Sequence, residues 1–267
     1  MMEPFVFIPG RLPLLVSMPH PGTYVPNAMA DGLTGEARTL PDTDWHLPLL
    51  YDFVAAMGPS TLIATHSRYV IDLNRAPDGT PLYPGTSNSE LCPTTQFSEA
   101  AIYLPGREPD EQEIDARRRA VWEPYHRCLA DELQRLRTTH GIALLLDAHS
   151  IKSEVPRFFS GRLPDLNLGT ADGASADPGL AARLLALCAS HRGYTSVLNG
   201  RFKGGYITRH YGRPSAGIHA VQLEIAERIY MDEDPPFGFD EALTGALRPL
   251  LRSFVETMLG WAEGARK

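Results

Sequence analysis

The sequence lacks several features that would indicate other classes of protein. Its 267 residues carry a net charge of −7, so the basic excess with which general nucleic-acid binders neutralise phosphates is missing. No apolar run approaches the roughly 20 residues that cross a bilayer. The first residues also lack the basic start and the apolar stretch of a signal peptide. We therefore expect a cytoplasmic protein that binds neither nucleic acids nor membranes.

Cysteine is scarce, and the common catalytic motifs are missing. The three cysteines, Cys92, Cys128 and Cys188, are an odd and widely spaced set without a CxxC pair, which is typical of reduced thiols and not of a disulfide framework. The sequence has no G-x-S-x-G, HExxH, GxxxxGK[ST] or strand-borne GxGxxG motif. Serine-hydrolase, zincin and nucleotide-binding chemistries are therefore not indicated.

The sequence does contain strand-like segments that alternate with helix-like ones. The predicted strands are Leu12–Met18, Thr61–Ala64, Tyr69–Leu73, Ile142–Leu146, Thr195–Leu198 and Ile218–Ile225. The predicted helices cover 44–57, 111–140, 178–192 and 239–263, and long loops are expected at 76–109 and 199–217. This pattern predicts one domain over residues 1–267, with a three-layer α/β fold whose mixed, mainly parallel sheet has helices on both faces.

Polar side chains stand at the ends of several predicted strands. His20 follows the first strand, Asn74 and Arg75 follow the third, His149 follows the fourth, and Glu224 lies near the end of the last. In open α/β sheets, ligands bind beyond the carboxyl ends of the strands. We therefore expect these side chains to meet at one edge of the sheet.

The two histidines at this edge predict a zinc site. A catalytic zinc ion commonly has three protein ligands and one open position, although cobalt and manganese share such ligands. We expect Asp44 as the third ligand, with Asp42 and His46 as rivals, while a plain helix-capping role for Asp44 stays open. Glu224 is expected to act as the general base, and its structural alternative is a buried ion pair.

Arginines are the natural ligands for an anionic substrate, because the guanidinium fork matches a carboxylate in two hydrogen bonds. Arg75 and Arg209 are the candidates, since Arg75 follows a predicted strand and Arg209 lies in the glycine-rich 199–217 loop. Arg68 is a weaker candidate and His210 a marginal one. A surface position without a role in binding is the alternative for each arginine.

Seven segments that contain these residues together resemble the N-formylglutamate amidohydrolase family. They are VSMPHPG (16–22), LPDTDWHLPLLYDF (40–53), RYVIDLNR (68–75), ELCPTTQF (90–97), LLLDAHS (144–150), NGRFKGGYITRHYG (199–212) and VQLEIAERIYMDE (221–233). The resemblance runs from about residue 12 to residue 230, and all seven segments occur in order. It implies a fold similar to that of the zinc carboxypeptidases.

The resemblance also implies a reaction and a set of roles. N-formyl-L-glutamate and water would give formate and L-glutamate, a step of histidine degradation. His20, His149 and one carboxylate of the DTD segment would hold zinc, and Glu224 would be the base. The carboxypeptidase pattern has a glutamate three residues after the first histidine, whereas position 23 here is threonine. The carboxylate must come from elsewhere, and we expect Asp44 to supply it in preference to Asp42.

The same resemblance implies that Asn74 and Arg75 bind a substrate carboxylate, with Arg209 available for the second one. The two long loops are expected to close over the site and exclude water. Two alternatives remain open at this point. One is a zinc-dependent deacylase of another N-acyl amino acid, and the other is a non-catalytic anion-binding protein.

Overall fold

The computed structural model describes residues 2–82, 85 and 87–265. Within them lies a seven-stranded sheet, and its strands are β1 (Phe5–Ile8), β2 (Leu14–Met18), β3 (Ser60–Ala64), β4 (Ala143–Ile151), β5 (Leu166–Gly169), β6 (Ser196–Leu198) and β7 (Ile218–Ala226). They lie in the sheet in the order β1-β3-β2-β4-β7-β5-β6. The central strands β3, β2, β4 and β7 are parallel, whereas β1 and β5 pair antiparallel with β3 and β7. This confirms the prediction of a mixed, mainly parallel sheet.

Helices cover both faces of this sheet. They are α1 (Asn27–Ala30), α2 (Leu47–Leu50), α3 (Phe53–Met57), α4 (Glu111–Arg117), α5 (Glu123–His140), α6 (Pro178–Ser190), α7 (Tyr206–Tyr211) and α8 (Glu241–Ala265). Successive residues of a strand point to opposite faces. Leu14 and Val16 of β2 accordingly belong to the core that includes α6 and α8, while Leu15 belongs to the core that includes α5. Among the described residues, no helix is long and apolar enough to span a membrane.

The prediction of one helix over 44–57, capped by Asp44, is wrong. Two short helices, α2 and α3, replace it, and the residue before α2 is His46 in a left-handed conformation with φ 62°. A left-handed residue cannot continue a right-handed helix, so Asp44 lies outside it. The predicted end at Gly58 is confirmed, because Gly58 terminates α3 with φ 106°.

The predicted strand Tyr69–Leu73 is also wrong, because this segment forms turns. Its residues are buried against the core on the α5 side, so their apolar character reflects packing and not sheet pairing. Strands β1 and β5 were not expected. The predicted 199–217 loop contains α7, and residues 83, 84 and 86 of the predicted 76–109 loop lie outside the described residues.

The long helix predicted over 111–140 is interrupted by a π-helical turn at Arg118–Trp122, just before the Pro124 at which a kink was expected. It ends at Gly141 as predicted, with φ 77°. The predicted helices 178–192 and 239–263 correspond to α6 and α8 with small shifts at their ends. Trp122, the last residue of the π-helical turn, donates from Nε1 to the carbonyl of Arg75 at 3.1 Å.

Candidate active site

The carboxyl ends of three neighbouring parallel strands bring the candidate side chains to one place. His20 lies two residues beyond β2, His149 lies near the end of β4, and Glu224 lies near the end of β7. His149 and Glu224 are direct partners in the β4–β7 register. All three side chains are buried. The topology of the sheet therefore places them as the sequence predicts.

Asp44 completes a group of three possible metal donors. Its Oδ2 lies 3.1 Å from His149 Nδ1 and 3.7 Å from His20 Nδ1, and the two Nδ1 atoms are 3.2 Å apart. The three donor atoms lie within 4.8 Å of one another. The position of Asp44 is held by its own N–H, which donates to the carbonyl of His20, and by the N–H of Ser150, which donates to Oδ2. The structure thus brings the three predicted ligands together.

The other nitrogen of each histidine ring faces an aspartate. His20 Nε2 donates to Asp72 Oδ1 at 2.7 Å, and His149 Nε2 lies 3.1 Å from Asp147 Oδ1. Metal-binding histidines commonly turn their second nitrogen to a carboxylate, which fixes the ring and leaves the first nitrogen for the metal. The paired arrangement and the two-nitrogen, one-oxygen donor set fit a divalent cation such as zinc.

Arg68 is the cation that faces this donor set in the structure. Its Nη2 donates to His20 Nδ1 and, at 3.2 Å, to Asp44 Oδ1. Burial alone lowers the pKa of Arg68, but the charges of Asp44 and Asp72 raise it further than burial lowers it. A positively charged group therefore already occupies the space between the ligand candidates, and a metal ion must share that space or displace the guanidinium.

Burial and neighbouring charge set the protonation of the site. Burial, reinforced by the charge of Arg68, lowers the pKa of His20 to about 4, so the ring is neutral and its Nδ1 lone pair accepts the hydrogen bond from Arg68. Burial raises the pKa of Glu224 to about 7, although the charge of His149 opposes that rise. A carboxyl group with such a pKa exchanges its proton near neutral pH.

The two rivals of Asp44 have other partners. Asp42 Oδ2 accepts hydrogen bonds from the hydroxyl of Tyr69 and from the N–H of Phe97, at 2.7 and 2.9 Å. His46 Nε2 bonds to the carbonyl of Phe237 at 2.7 Å. Neither belongs to the donor group found among the described residues.

A cavity that is partly open to solvent adjoins the donor group. Its wall includes His20, Asn74, His149 and Glu224, the arginines Arg68, Arg75 and Arg201, and the aromatic rings of Phe97, Phe158 and Phe202. The wall combines positive charge with apolar surface, which suits a small anionic ligand. The overall negative charge of the chain is therefore compatible with a locally positive site.

The predicted substrate-binding residues do not all lie at the cavity. Asn74 lies in the cavity with Nδ2 at 2.9 Å from His149 Nε2. Arg75 also lines the cavity, and its guanidinium donates to Ser89 and to the carbonyl of Asn74. Arg209 is exposed on α7, donates from Nε to the carbonyl of Gly204, and is not among the described residues of the cavity wall. The structure therefore does not bring Arg209 to the others.

Several residues of the site were missed by the sequence reasoning or given too little weight: Arg68, Asp72, Asp147, Arg201 and Gln222. Two of them had a readable signal, because residues two apart on a strand share one face. Asp147 stands two before His149 on β4, and Gln222 stands two before Glu224 on β7. Arg68 and Asp72 lie in a turn, where no periodic pattern predicts the direction of a side chain.

The chain is similar to known proteins of one family. The family model of N-formylglutamate amidohydrolase matches residues 12–231. Two curated proteins named N-formylglutamate deformylase are 54% identical over 261 residues (Pseudomonas aeruginosa) and 51% identical over 255 residues (Pseudomonas putida), and each match covers at least 95% of both chains. The crystal structure of N-formylglutamate amidohydrolase from Ralstonia eutropha superposes with a TM-score of 0.83 at 27% identity, over 99% of each chain. The chain therefore belongs to the N-formylglutamate amidohydrolase family.

Proposed function

We propose that the protein is a metal-dependent amidohydrolase that cleaves N-formyl-L-glutamate to formate and L-glutamate. The observation that carries the proposal is the His20–Asp44–His149 donor group, whose two histidines line one cavity with the buried Glu224. The names of the Pseudomonas relatives support this substrate. Zinc suits the donor set best, and cobalt and manganese bind similar ligands.

Different residues of the chain take different roles in the reaction. His20, Asp44 and His149 would hold a divalent cation, which would supply Lewis acidity for the formyl carbonyl and for the attacking water. Glu224 accepts a proton from the water that attacks the formyl carbon, and it returns that proton to the nitrogen as the C–N bond breaks. Burial raises the pKa of Glu224 above its ordinary value, which helps it to hold the proton between the two transfers. Arg68, the arginine nearest the donor group, donates to the carbonyl oxygen as negative charge develops there.

The two carboxylates of the substrate require positive partners. We place them against Arg75 and Arg201, because both line the cavity farther from the donor group than Arg68 does and neither is fully buried. Arg201 stands between two rings, with its guanidinium 5.5 Å from the Phe202 centroid and 6.0 Å from that of Phe158. Arg209 has no part in this assignment, since it lies on the exposed side of α7.

The test of the reaction combines metal analysis with product analysis. We expect about one metal ion per chain and release of formate from N-formylglutamate that is much faster than cleavage of N-acetyl- or N-succinylglutamate. Full metal content with turnover of the larger acyl groups only would indicate a different N-acyl amino acid deacylase. A folded protein without metal or turnover would leave the anion-binding alternative.

A matched pair of variants tests the carboxylate assignment. Arg201→Lys replaces a planar fork with a point charge, so we expect KM for N-formylglutamate to rise about tenfold or more. Arg209→Lys makes the same change on the exposed helix, so KM should stay at the wild-type value. A rise in KM with Arg209→Lys alone would return the role to Arg209.

A further inference from the structure

Gln222 shares a face of β7 with Glu224. They are two positions apart along the strand, so both side chains project from the same side of the sheet. Gln222 is 3% exposed and Glu224 is 7% exposed. A polar side chain this deeply buried needs hydrogen-bond partners, because a buried amide without them is costly.

The two ends of the Gln222 amide have different partners. Nε2 donates to Glu224 Oε2 at 2.9 Å, and Oε1 accepts from the N–H of Gly205 at 2.7 Å. A backbone N–H can only donate. The oxygen of the amide must therefore face Gly205, and its NH₂ group must face Glu224.

The backbone at Gly205 is itself held in place. Gly205 directly precedes α7, and the N–H groups of Tyr206 and Ile207 donate to the backbone and side-chain oxygens of Asn74, at 3.4 and 2.8 Å. A Cβ atom at position 205 would stand 2.2 Å from Asn74 Nδ2. Only glycine permits this close approach, so the group that orients Gln222 is anchored to the site.

A carboxylate that acts as a base must be held in one orientation, and a hydrogen bond from a fixed side chain can do this. The terminal torsion of a glutamate has a broad range, and an error of about 1 Å in a reacting group costs about 100-fold in rate. The bond from Gln222 commits Oε2 and leaves Oε1 as the oxygen that exchanges the proton. No other described side chain donates to Glu224 through a hydrogen bond recorded in the structure.

We propose that Gln222 is a positioning residue that holds the carboxylate of Glu224 for proton transfer, with its own orientation set by the N–H of Gly205. The proposal rests on the function proposed above for Glu224. In the proposed arrangement Gln222 does not contact the metal donors. A substitution of Gln222 should therefore change the orientation of Glu224 and leave metal binding unchanged.

Two substitutions at this position separate the two hydrogen bonds. Gln222→Glu keeps an oxygen for Gly205 but removes the donor to Glu224 and places a second carboxylate beside it. Gln222→Met has similar length and keeps neither bond. We expect both variants to lose about 100-fold in kcat, with KM and metal content at wild-type values. Gln134→Glu, an exchange at an exposed position of α5, is the matched control and should keep the wild-type kcat.

A double-mutant cycle provides the decisive readout. If Gln222 acts through Glu224, Gln222→Met adds no more than about threefold to the loss in a Glu224→Gln background. Wild-type kcat in Gln222→Glu, or a full further 100-fold loss in the double variant, overturns the proposal. A Glu224→Gln variant with wild-type kcat instead overturns the role of Glu224 in the proposed function. Thermal unfolding and metal content of each variant exclude loss of the fold as the cause.

Discussion

The buried histidines that contact the short segment 72–74 fall into two groups with different partners. His20 and His149 form one group, and His126 alone forms the other. His20 and His149 bond to Asp72 and to the Asn74 amide, and they face Asp44. His126 bonds from Nε2 to the carbonyl of Leu73. Burial is similar in the two groups, since each ring is no more than 4% exposed. Burial of a histidine alone therefore does not indicate chemistry.

The difference lies in the charge around each ring. His126 stacks on Trp122 with ring centroids 3.7 Å apart, and its Nδ1 bonds to the hydroxyl of Tyr211 at 2.9 Å. These partners are neutral, and they satisfy both nitrogens. The other group collects carboxylates in a buried space, where negative charge is stable only beside a cation. Carboxylate partners thus distinguish the candidate metal site from a structural histidine.

Substitution of one histidine in each group should give the largest difference in metal content and activity between the two groups. We expect His149→Ala to lose both the metal and the hydrolysis of N-formylglutamate, because two ligands do not retain a catalytic zinc ion well. His126→Gln should keep its metal and its activity at neutral pH. Metal analysis by mass spectrometry and formate release, measured on the same samples, check both expectations. Equal metal content in the two variants would contradict the assignment of the donor group.

The next largest effect is expected at Glu224. Glu224→Gln removes the proton acceptor but keeps the shape of the side chain, so kcat should fall by about 10²- to 10⁴-fold while metal content is unchanged. Steady-state kinetics with N-formylglutamate measure the fall. A loss of metal in this variant would mean that Glu224 is a metal ligand and not only the base.

The aspartates behind the histidines come next. Asp72→Asn weakens the partner of His20 Nε2, so we expect metal affinity to fall by about 10- to 100-fold. Asp42→Asn is the matched control, because Asp42 is also buried but bonds to Tyr69 and Phe97. Competition with a chelator measures both affinities. A larger loss in Asp42→Asn would favour Asp42 over Asp44 as the ligand.

The sequence predicts the residues of the donor group well because strand ends carry them. His20, His149 and Glu224 follow apolar segments whose pairing places their ends at one edge of the sheet, and this needs no knowledge of side-chain packing. Asp44 was also expected at the site, and the helix-capping alternative is wrong, since Asp44 caps no helix. Its carboxylate is held there by contacts with residues distant in the sequence.

The arginines show where such prediction fails. Arg68 lies in a buried turn that resembles a strand by composition, and only the packing of that turn directs its side chain to the donor group. Arg201 and Arg209 lie in the same glycine-rich segment. The short helix α7 leaves Arg209 exposed, whereas Arg201 lies before it and reaches the cavity. The sequence of this segment has no regular periodicity, so it does not predict which of the two arginines reaches the cavity and which is exposed.

The smallest expected effect concerns the stability that His126 contributes. Burial lowers the pKa of His126 to about 3, whereas a histidine in the unfolded chain has a pKa of about 6.5. The unfolded state therefore binds the extra proton below about pH 6.5, and the stability that the neutral ring contributes is lost as the pH falls toward about 3.

Between about pH 7.5 and about pH 5, this difference should lower the free energy of unfolding by about 2 kcal/mol. His126→Gln cannot take up that proton, so its free energy of unfolding should fall by about 2 kcal/mol less than that of the wild type over the same range. Urea denaturation of both proteins at the two pH values measures the two changes. Equal changes would mean that His126 takes up its proton as readily in the folded state as in the unfolded state, and its neutral partners would then not distinguish it from His20 and His149.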